Sequence, residues 1–276
     1  MPVVINTNIP SISASRSLYE ASSSLNQAME RLSSGKRING AKDDAAGMTV
    51  VTRMKAQITS LNQAVRNAND AISLISTYDG TADEIESILI RMRELATLSQ
   101  NETYTTEDRT NANLEYTQLI SEITRIGSKT KFNGSLDISS GTANTTYSFQ
   151  VGFAGGDTVS ISLANLNEAT LGSGAFGNIS TNAAASTQYL RIDDALKHLN
   201  SGRAVAGAMI NRLEHTVSNL MNVVQRTEEA RSRIEDADFA AESAALARAN
   251  VLTQAGSAML AQANQAPMYV LSLLRS

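Results

Sequence analysis

Between Ser11 and Ala266 the chain has no proline; its three prolines are Pro2, Pro10 and Pro267. A proline in a helix interior costs about 3 kcal/mol, because it removes a backbone hydrogen bond and clashes with the preceding turn. Nearly the whole chain is therefore free to build uninterrupted helices. The hydrophobic spacing predicts where it does so. Val51, Met54, Ile58, Leu61, Val65, Ala68, Ile72 and Ile75 follow alternating steps of three and four, the seam of a coiled coil. After Asp79-Gly80 the phase slips by about one residue and resumes at Ala82, Ile85, Leu89, Met92, Ala96 and Ser99. One helix with a local adjustment is expected, since a lone glycine costs only about 1 kcal/mol relative to alanine. From Asp44 to Ser99 it would run roughly 80 Å. A second seam, Met209, Leu213, Thr216, Leu220, Val223, Thr227, Ala230 and Ile234, matches the first in spacing. Two such seams joined through a compact insertion should pack antiparallel.

The remaining segments fit around these two. Leu18, Ser22, Leu25, Met29 and Leu32 give the N-terminal segment a narrow apolar seam, with a stop at Ser34-Gly35. Asp43-Asp44 suits the next helix start, where carboxylates meet the positive end of the dipole. Thr105-Thr106-Glu107-Asp108 predicts the cap and acidic first turn of a third helix ending near Gly127. From Phe132 to Thr187 the character changes, and half of the glycines lie there. Residues 145–151 and 158–163 alternate as strands do, and Gly155-Gly156-Asp157 reads as the turn of a hairpin that leans on the helices. The C-terminal stretch is rich in alanine, with Phe239, Leu246, Leu252, Met259 and Leu260 spaced along it. The expected fold is mainly α: a long antiparallel bundle with a small β-hairpin insertion and paired terminal helices.

Composition removes several function classes. A net charge of −4 without a basic block argues against nucleic acid. No cysteine is present, which excludes disulfides and thiolate metal sites and fits either an intracellular protein or export without oxidative folding. The N-terminal run lacks the basic and apolar regions of a cleavable signal peptide. Residues 244–274 are apolar overall, but Thr253, Gln254, Ser257, Gln262, Asn264 and Gln265 interrupt them, so membrane insertion is not expected. His198 and His215 lack any metal-ligand spacing, and Asp43-Asp44 and Asp193-Asp194 read as helix-start carboxylates rather than catalytic pairs. Neither cofactor nor catalytic residue is expected.

The terminal segments point to assembly. They carry narrow seams and many small side chains, and such a pair buries little surface alone. Ala244, Ala245, Ala255, Gly256, Ala258, Ala261 and Ala263 permit close approach on several sides, and the chain closes on apolar Val270, Leu271, Leu273 and Leu274. These features suit helices surrounded by other copies, and head-to-tail contacts that do not close into rings produce filaments. A discrete coiled-coil dimer acting as a sensor or effector is the alternative from the pattern alone.

Several ordered runs carry a resemblance. Arg31-Leu-Ser-Ser-Gly-Lys-Arg-Ile-Asn-Gly-Ala-Lys-Asp-Asp-Ala-Ala-Gly47, Asn69 to Leu74, Arg91-Met-Arg-Glu-Leu95 and Phe132-Asn-Gly134 stand in the first half. Ser232-Arg-Ile-Glu-Asp-Ala-Asp238 and Leu260-Ala-Gln-Ala-Asn-Gln-Ala-Pro267 stand near the end. Together they resemble the terminal regions of bacterial flagellins, over about residues 3–134 and 190–275. The resemblance implies a structural subunit of the flagellar filament, secreted unfolded without a cleaved signal and polymerising at the filament tip. A hook–filament junction protein is the alternative. It implies an inner domain from residues 1–43 and 235–276. A surrounding domain from 44–234 would hold helices 44–100, 105–127 and 190–234 and the hairpin insertion at about 132–187. It implies packing between copies through Leu18, Leu25, Met29, Leu32, Leu246, Leu252, Met259, Leu260, Leu271, Leu273 and Leu274. Implied partners are further copies of the chain, an export chaperone, the filament cap and hook-associated proteins. Arg91, Leu95 and Glu115 fall where many flagellins contact a vertebrate innate receptor. Ile90 and Leu98 stand where polar residues are usual in the family.

Overall fold

In the computed structural model, residues 7–134, 136–137, 145–171 and 174–275 are described, with the side chains at 136, 137, 169 and 266–275 outside the description. Six helices and two short hairpins follow one another: α1 (Ile9–Ser34), α2 (Ala45–Gln100), α3 (Thr106–Lys129), β1 (Lys131–Phe132), β2 (Leu136–Asp137), β3 (Thr145–Gln150), β4 (Thr158–Leu163), α4 (Glu168–Leu171), α5 (Asn182–Glu235) and α6 (Phe239–Arg275). They divide into two compact units, Met1–Ile58 with Gln225–Ser276, and Thr59–Val224.

The helix ends follow local chemistry. The Asn8 side chain accepts a hydrogen bond from the Ser11 amide, Pro10 sits in the first turn, and α1 stops at Gly35, whose φ of 69° is left-handed. Asp44 caps α2 by accepting from the Gly47 amide at 2.7 Å. Asp43, expected beside it at the helix start, instead folds the preceding loop: its carboxylate accepts from the amides of Asn39 and Gly40, which hold it below its ordinary pKa. Thr105 and Asp108 form a reciprocal capping box on α3. Asp238 caps α6 by accepting from the Ala240 and Ala241 amides.

In the unit Thr59–Val224, one core joins α2, α3, β4 and α5. On α2 the buried stripe runs Ala68, Ala71, Ile75, Tyr78, Ala82, Ile85, Leu89, Met92, Ala96 and Ser99 without interruption. The expected slip at Asp79-Gly80 is therefore absent. The offset lies about four turns earlier, where Ile58, Leu61 and Ala64 are buried at two successive steps of three, so that Ala64 and Ala71 turn inward and Val65 and Ile72 are only half-buried. Tyr78 fills the place that the apolar count had left empty. On α5 the stripe is Ala185, Gln188, Ile192, Ala195, Leu199, Gly202, Ala206, Leu213 and Leu220. Beyond it Val224 rather than the expected Val223 packs toward Leu61 and Ala64. β3 and β4 pair antiparallel from Thr145↔Leu163 to Gln150↔Thr158, and the inward residues of β4, Val159, Ile161 and Leu163, lean on the helices as expected.

Three features differ from the expectation. α5 begins at Asn182 rather than near 190, started by the Thr181 hydroxyl accepting from the Ala184 amide. Its first turns are alanines, which favour helix without showing a hydrophobic period. Asp193 and Asp194 consequently lie inside the helix, paired to Arg93 and Lys197. A second hairpin, β1–β2, turns on Asn133 and Gly134, both at positive φ.

Candidate assembly surface

In the other unit α1 and α6 pack antiparallel. The Asn8 side-chain amide donates to the Ala263 carbonyl at 2.8 Å near one end, and Arg31 pairs with Glu242 at 2.9 Å near the other. Between them, Leu18 lies 3.3 Å from where a β-carbon on Gly256 would stand, so its side chain occupies space that any other residue at 256 would narrow. The seam of α1 steps through Ser11, Ala14, Leu18, Ala21, Leu25, Ala28 and Leu32, and that of α6 through Glu242, Leu246, Ala249, Thr253, Gly256, Leu260 and Ala263. Both keep steps of three and four, the period of a coiled coil.

This sorts the residues expected to pack. Leu18, Leu25, Leu32, Leu246 and Leu260 are half-buried in the seam. Met29, Leu252 and Met259 are not: they are 54 %, 53 % and 63 % exposed, and the buried positions belong to Ala21, Ala28 and Ala249. Alanines and leucines alternate along the seam of α1, and Met29, Leu252 and Met259 lie beside the seams on the outward side. Leu271, Leu273 and Leu274 fall outside the described side chains, although the backbone of α6 continues helical through them.

The outward faces carry large apolar side chains among serine, amide and charged residues. Ile9, Ile12, Tyr19, Met29, Val251, Leu252 and Met259 are all more than half exposed. A groove of about 610 Å³ runs between the helices, walled by Pro10, Ala21, Leu252 and Met259 together with Ser17 and Glu20. Isolated exposed apolar residues are ordinary, but these seven on the two helices of one pair make it the candidate interaction face.

At one end of the pair the loops are clamped. Lys36 and Asp236 form an antiparallel bridge, the Arg37 amide donates to the Glu235 carbonyl at 2.7 Å, and the Ala237 amide donates to the Gly35 carbonyl at 3.0 Å. The nearly buried Glu235 carboxylate pairs with Lys36 and Arg231. The Ser-Ser-Gly run and the Arg-Ile-Glu-Asp run thus meet through their backbones.

In the unit Thr59–Val224, Arg91 is brought to Glu115 at 2.8 Å and to Glu94 at 2.9 Å. The three side chains are about half exposed, and the guanidinium holds the Glu115 carboxyl below its ordinary range. Leu95 is placed differently: it is 4 % exposed and belongs to the core. Arg91 and Glu115 are accessible on this face and Leu95 is not.

Sequence reasoning missed the polar groups buried without partners. The Tyr78 and Tyr116 hydroxyls and the Asn165 amide nitrogen have no hydrogen-bond partner among the described residues. An unbroken 3-4 step through Tyr78 was the available signal for the first. Among the described residues no group of acidic or histidine side chains could hold a metal, and no helix is long and apolar enough to cross a membrane.

Comparisons with known proteins match both ends. Residues 5–139 match the bacterial flagellin N-terminal helical region and residues 190–274 the bacterial flagellin C-terminal helical region. A flagellin of Halalkalibacterium halodurans is 44% identical over 99% of this chain and 100% of its own. A flagellar filament 33 kDa core protein of Treponema phagedenis is 37% identical with the same coverage. Among solved structures, Bacillus cereus flagellin is similar with a TM-score of 0.50 at 35% identity, over 56% of this chain and 88% of that one. A putative flagellar hook-associated protein of Vibrio parahaemolyticus gives 0.58 at 15% identity, over 70% and 100%, which is a likeness of fold alone.

Proposed function

The chain belongs to the bacterial flagellin family, and we propose that it joins the flagellar filament through the outward faces of α1 and α6. As a flagellin it is a structural subunit that polymerises with copies of itself into the extracellular filament used for swimming. The observation that supports the route of entry is the distribution of side chains on the terminal pair: alanines and a glycine inside, Tyr19, Met29, Val251, Leu252 and Met259 outside. Residues 1–43 and 235–276 would form the inner domain of the subunit and residues 44–234 the surrounding one. Leu18, Leu25, Leu32, Leu246 and Leu260 hold the pair, and Met29, Leu252 and Met259 reach neighbouring copies. The role is structural and needs no catalytic group.

Other partners follow at lower resolution. The export chaperone, the filament cap and hook-associated proteins would each use the terminal helices before or at the ends of polymerisation. A host innate receptor would meet the exposed Arg91–Glu115 pair, whose first role is to hold α2 to α3. Deleting residues 235–276 is expected to leave a soluble helical monomer that cannot extend filament seeds. Normal elongation of that truncation, seen by electron microscopy, would sink the proposed role of α6.

A further inference from the structure

The fold sorts the methionines of this chain by their access to solvent. Met92 is wholly buried in the core of the unit Thr59–Val224, and Met54 and Met209 are half-buried. Four others are open among the described residues: Met29 at 54 %, Met48 at 39 %, Met221 at 59 % and Met259 at 63 % exposure. Two of these four stand on the terminal pair. Met29 lies on α1 beside the buried Ala28, and Met259 lies on α6 in the wall of the groove that Pro10, Ala21 and Leu252 also line. Met48 is at the start of α2 and Met221 is on α5, and neither lines that groove. The chain has no cysteine to consume an oxidant first, so its exposed thioethers are the first targets of a two-electron oxidant.

We infer that Met29 and Met259 are oxidation sites that gate assembly: a peroxide converts them to the sulfoxide in the free subunit, and the sulfoxide keeps that subunit out of the filament until it is reduced. The inference rests on the filament reading, in which other copies cover these two side chains. In the chemical step the thioether sulfur gives an electron pair to one oxygen of hydrogen peroxide. The O–O bond breaks, an S–O bond forms, and the second oxygen leaves as water after proton transfer. Sulfur is oxidised by two electrons, the peroxide is reduced by two, and no bond to carbon changes. In the free subunit the new oxygen meets water, because both side chains are more than half exposed, and the helices persist. In a contact between copies the same oxygen is a strong acceptor that is either buried without a partner or holds the contact open. Enzymic reduction of the sulfoxide restores the apolar side chain, so the exclusion is reversible.

The purified full chain is treated briefly with hydrogen peroxide, so that each exposed methionine is only partly oxidised, and is then offered to filament seeds. Filament and unincorporated subunits are separated, digested and mapped by mass spectrometry. Sulfoxide at Met29 and Met259 is expected to be enriched about tenfold or more in the unincorporated fraction, the factor that one unanswered buried polar group sets. Sulfoxide at Met48 and Met221 should divide evenly between the fractions. Treating the unincorporated fraction with methionine sulfoxide reductases for both sulfoxide epimers should restore its elongation. Filaments grown first and oxidised afterwards should react more slowly at Met29 and Met259 than the free subunit does. Resistance of Met29 and Met259 in the free subunit while Met221 reacts overturns the inference. So does even division at either residue, enrichment at all four sites alike, no recovery after reduction, or an unchanged rate in the filament. Each of these leaves polymerisation itself standing. Untreated subunit that grows no filament overturns the polymerisation reading instead.

Discussion

Tyr78 shows what a single side chain costs and supplies here. Its ring completes the buried stripe of α2, yet its hydroxyl is buried without a partner among the described residues, and Gly202 of α5 leaves the space for it. A β-carbon at residue 202 would lie 2.7 Å from that hydroxyl and 3.1 Å from Ala164. Gly202→Ala should therefore destabilise the chain by about 1–3 kcal/mol through overpacking. Gly80→Ala, on the exposed side of α2 with nothing within 4 Å, should stabilise it by about 1 kcal/mol. Urea unfolding of both variants checks the pair. Burial, with the Asp79 charge next, pushes the Tyr78 phenol up to about 12 from its ordinary 10. Below pH 10 the phenol is neutral in both states and its contribution is whole. As the pH rises from 10 through 12 the unfolded chain ionises first, and about 3 kcal/mol is lost. Tyr78→Phe should flatten that alkaline decline and, by removing an unpaired hydroxyl, raise stability at pH 7 by about 1 kcal/mol. A pH series of unfolding midpoints decides it.

At the scale of elements, the chain's own chemistry sets where helices begin more sharply than where their buried faces point. The Thr105–Asp108 capping box satisfies two otherwise free amides. Thr105→Ala should cost about 1 kcal/mol, read as a lower unfolding midpoint with wild-type helicity retained well below it. That cap, the glycine stop after α1 and the β3–β4 hairpin were legible because each rests on residues a few positions apart. The buried faces were less so. The period of α2 was read with Ile72 inward, since a large apolar side chain outweighs Ala71 in any hydrophobic count, while in the fold the smaller residue admits the closer neighbour. The same bias placed Met29 in the seam of α1, where Ala28 stands. The start of α5 was hidden because three alanines have helix propensity without periodicity. The Asn133-Gly134 turn was visible as residues, but the two-residue strands beside it are too short to alternate. Pairs that join distant segments, such as Arg91 with Glu115 or Arg203 with Asp79, Asp83 and Glu86, leave no local trace at all.

For the whole molecule, the two units differ in what can hold them together. The unit Thr59–Val224 buries Leu74, Ile75, Ile85, Leu89, Met92, Ile123 and Ile161 completely, each worth roughly 1.5–3 kcal/mol. On α1 and α6 the fully sequestered positions are alanines, and a methyl group contributes only about 0.8 kcal/mol. Ordering a residue's backbone costs about 1–2 kcal/mol. The terminal pair therefore lacks the burial to hold itself as firmly as the other unit does, and its exposed tyrosine, methionines, valine and leucine are the reserve of burial that only other copies can supply. In the free monomer, backbone amides of α1 and α6 should exchange hydrogen orders of magnitude faster than those of residues 68–99. In the filament the two sets should become comparably protected. Replacing Val251, Leu252 and Met259 together by lysine should abolish elongation while the monomer keeps its helicity, because more than half of each side chain is exposed in the isolated pair. If instead the free monomer protects its terminal helices as strongly as its core, assembly is docking of prefolded rods, and the coupling between order and polymerisation is wrong.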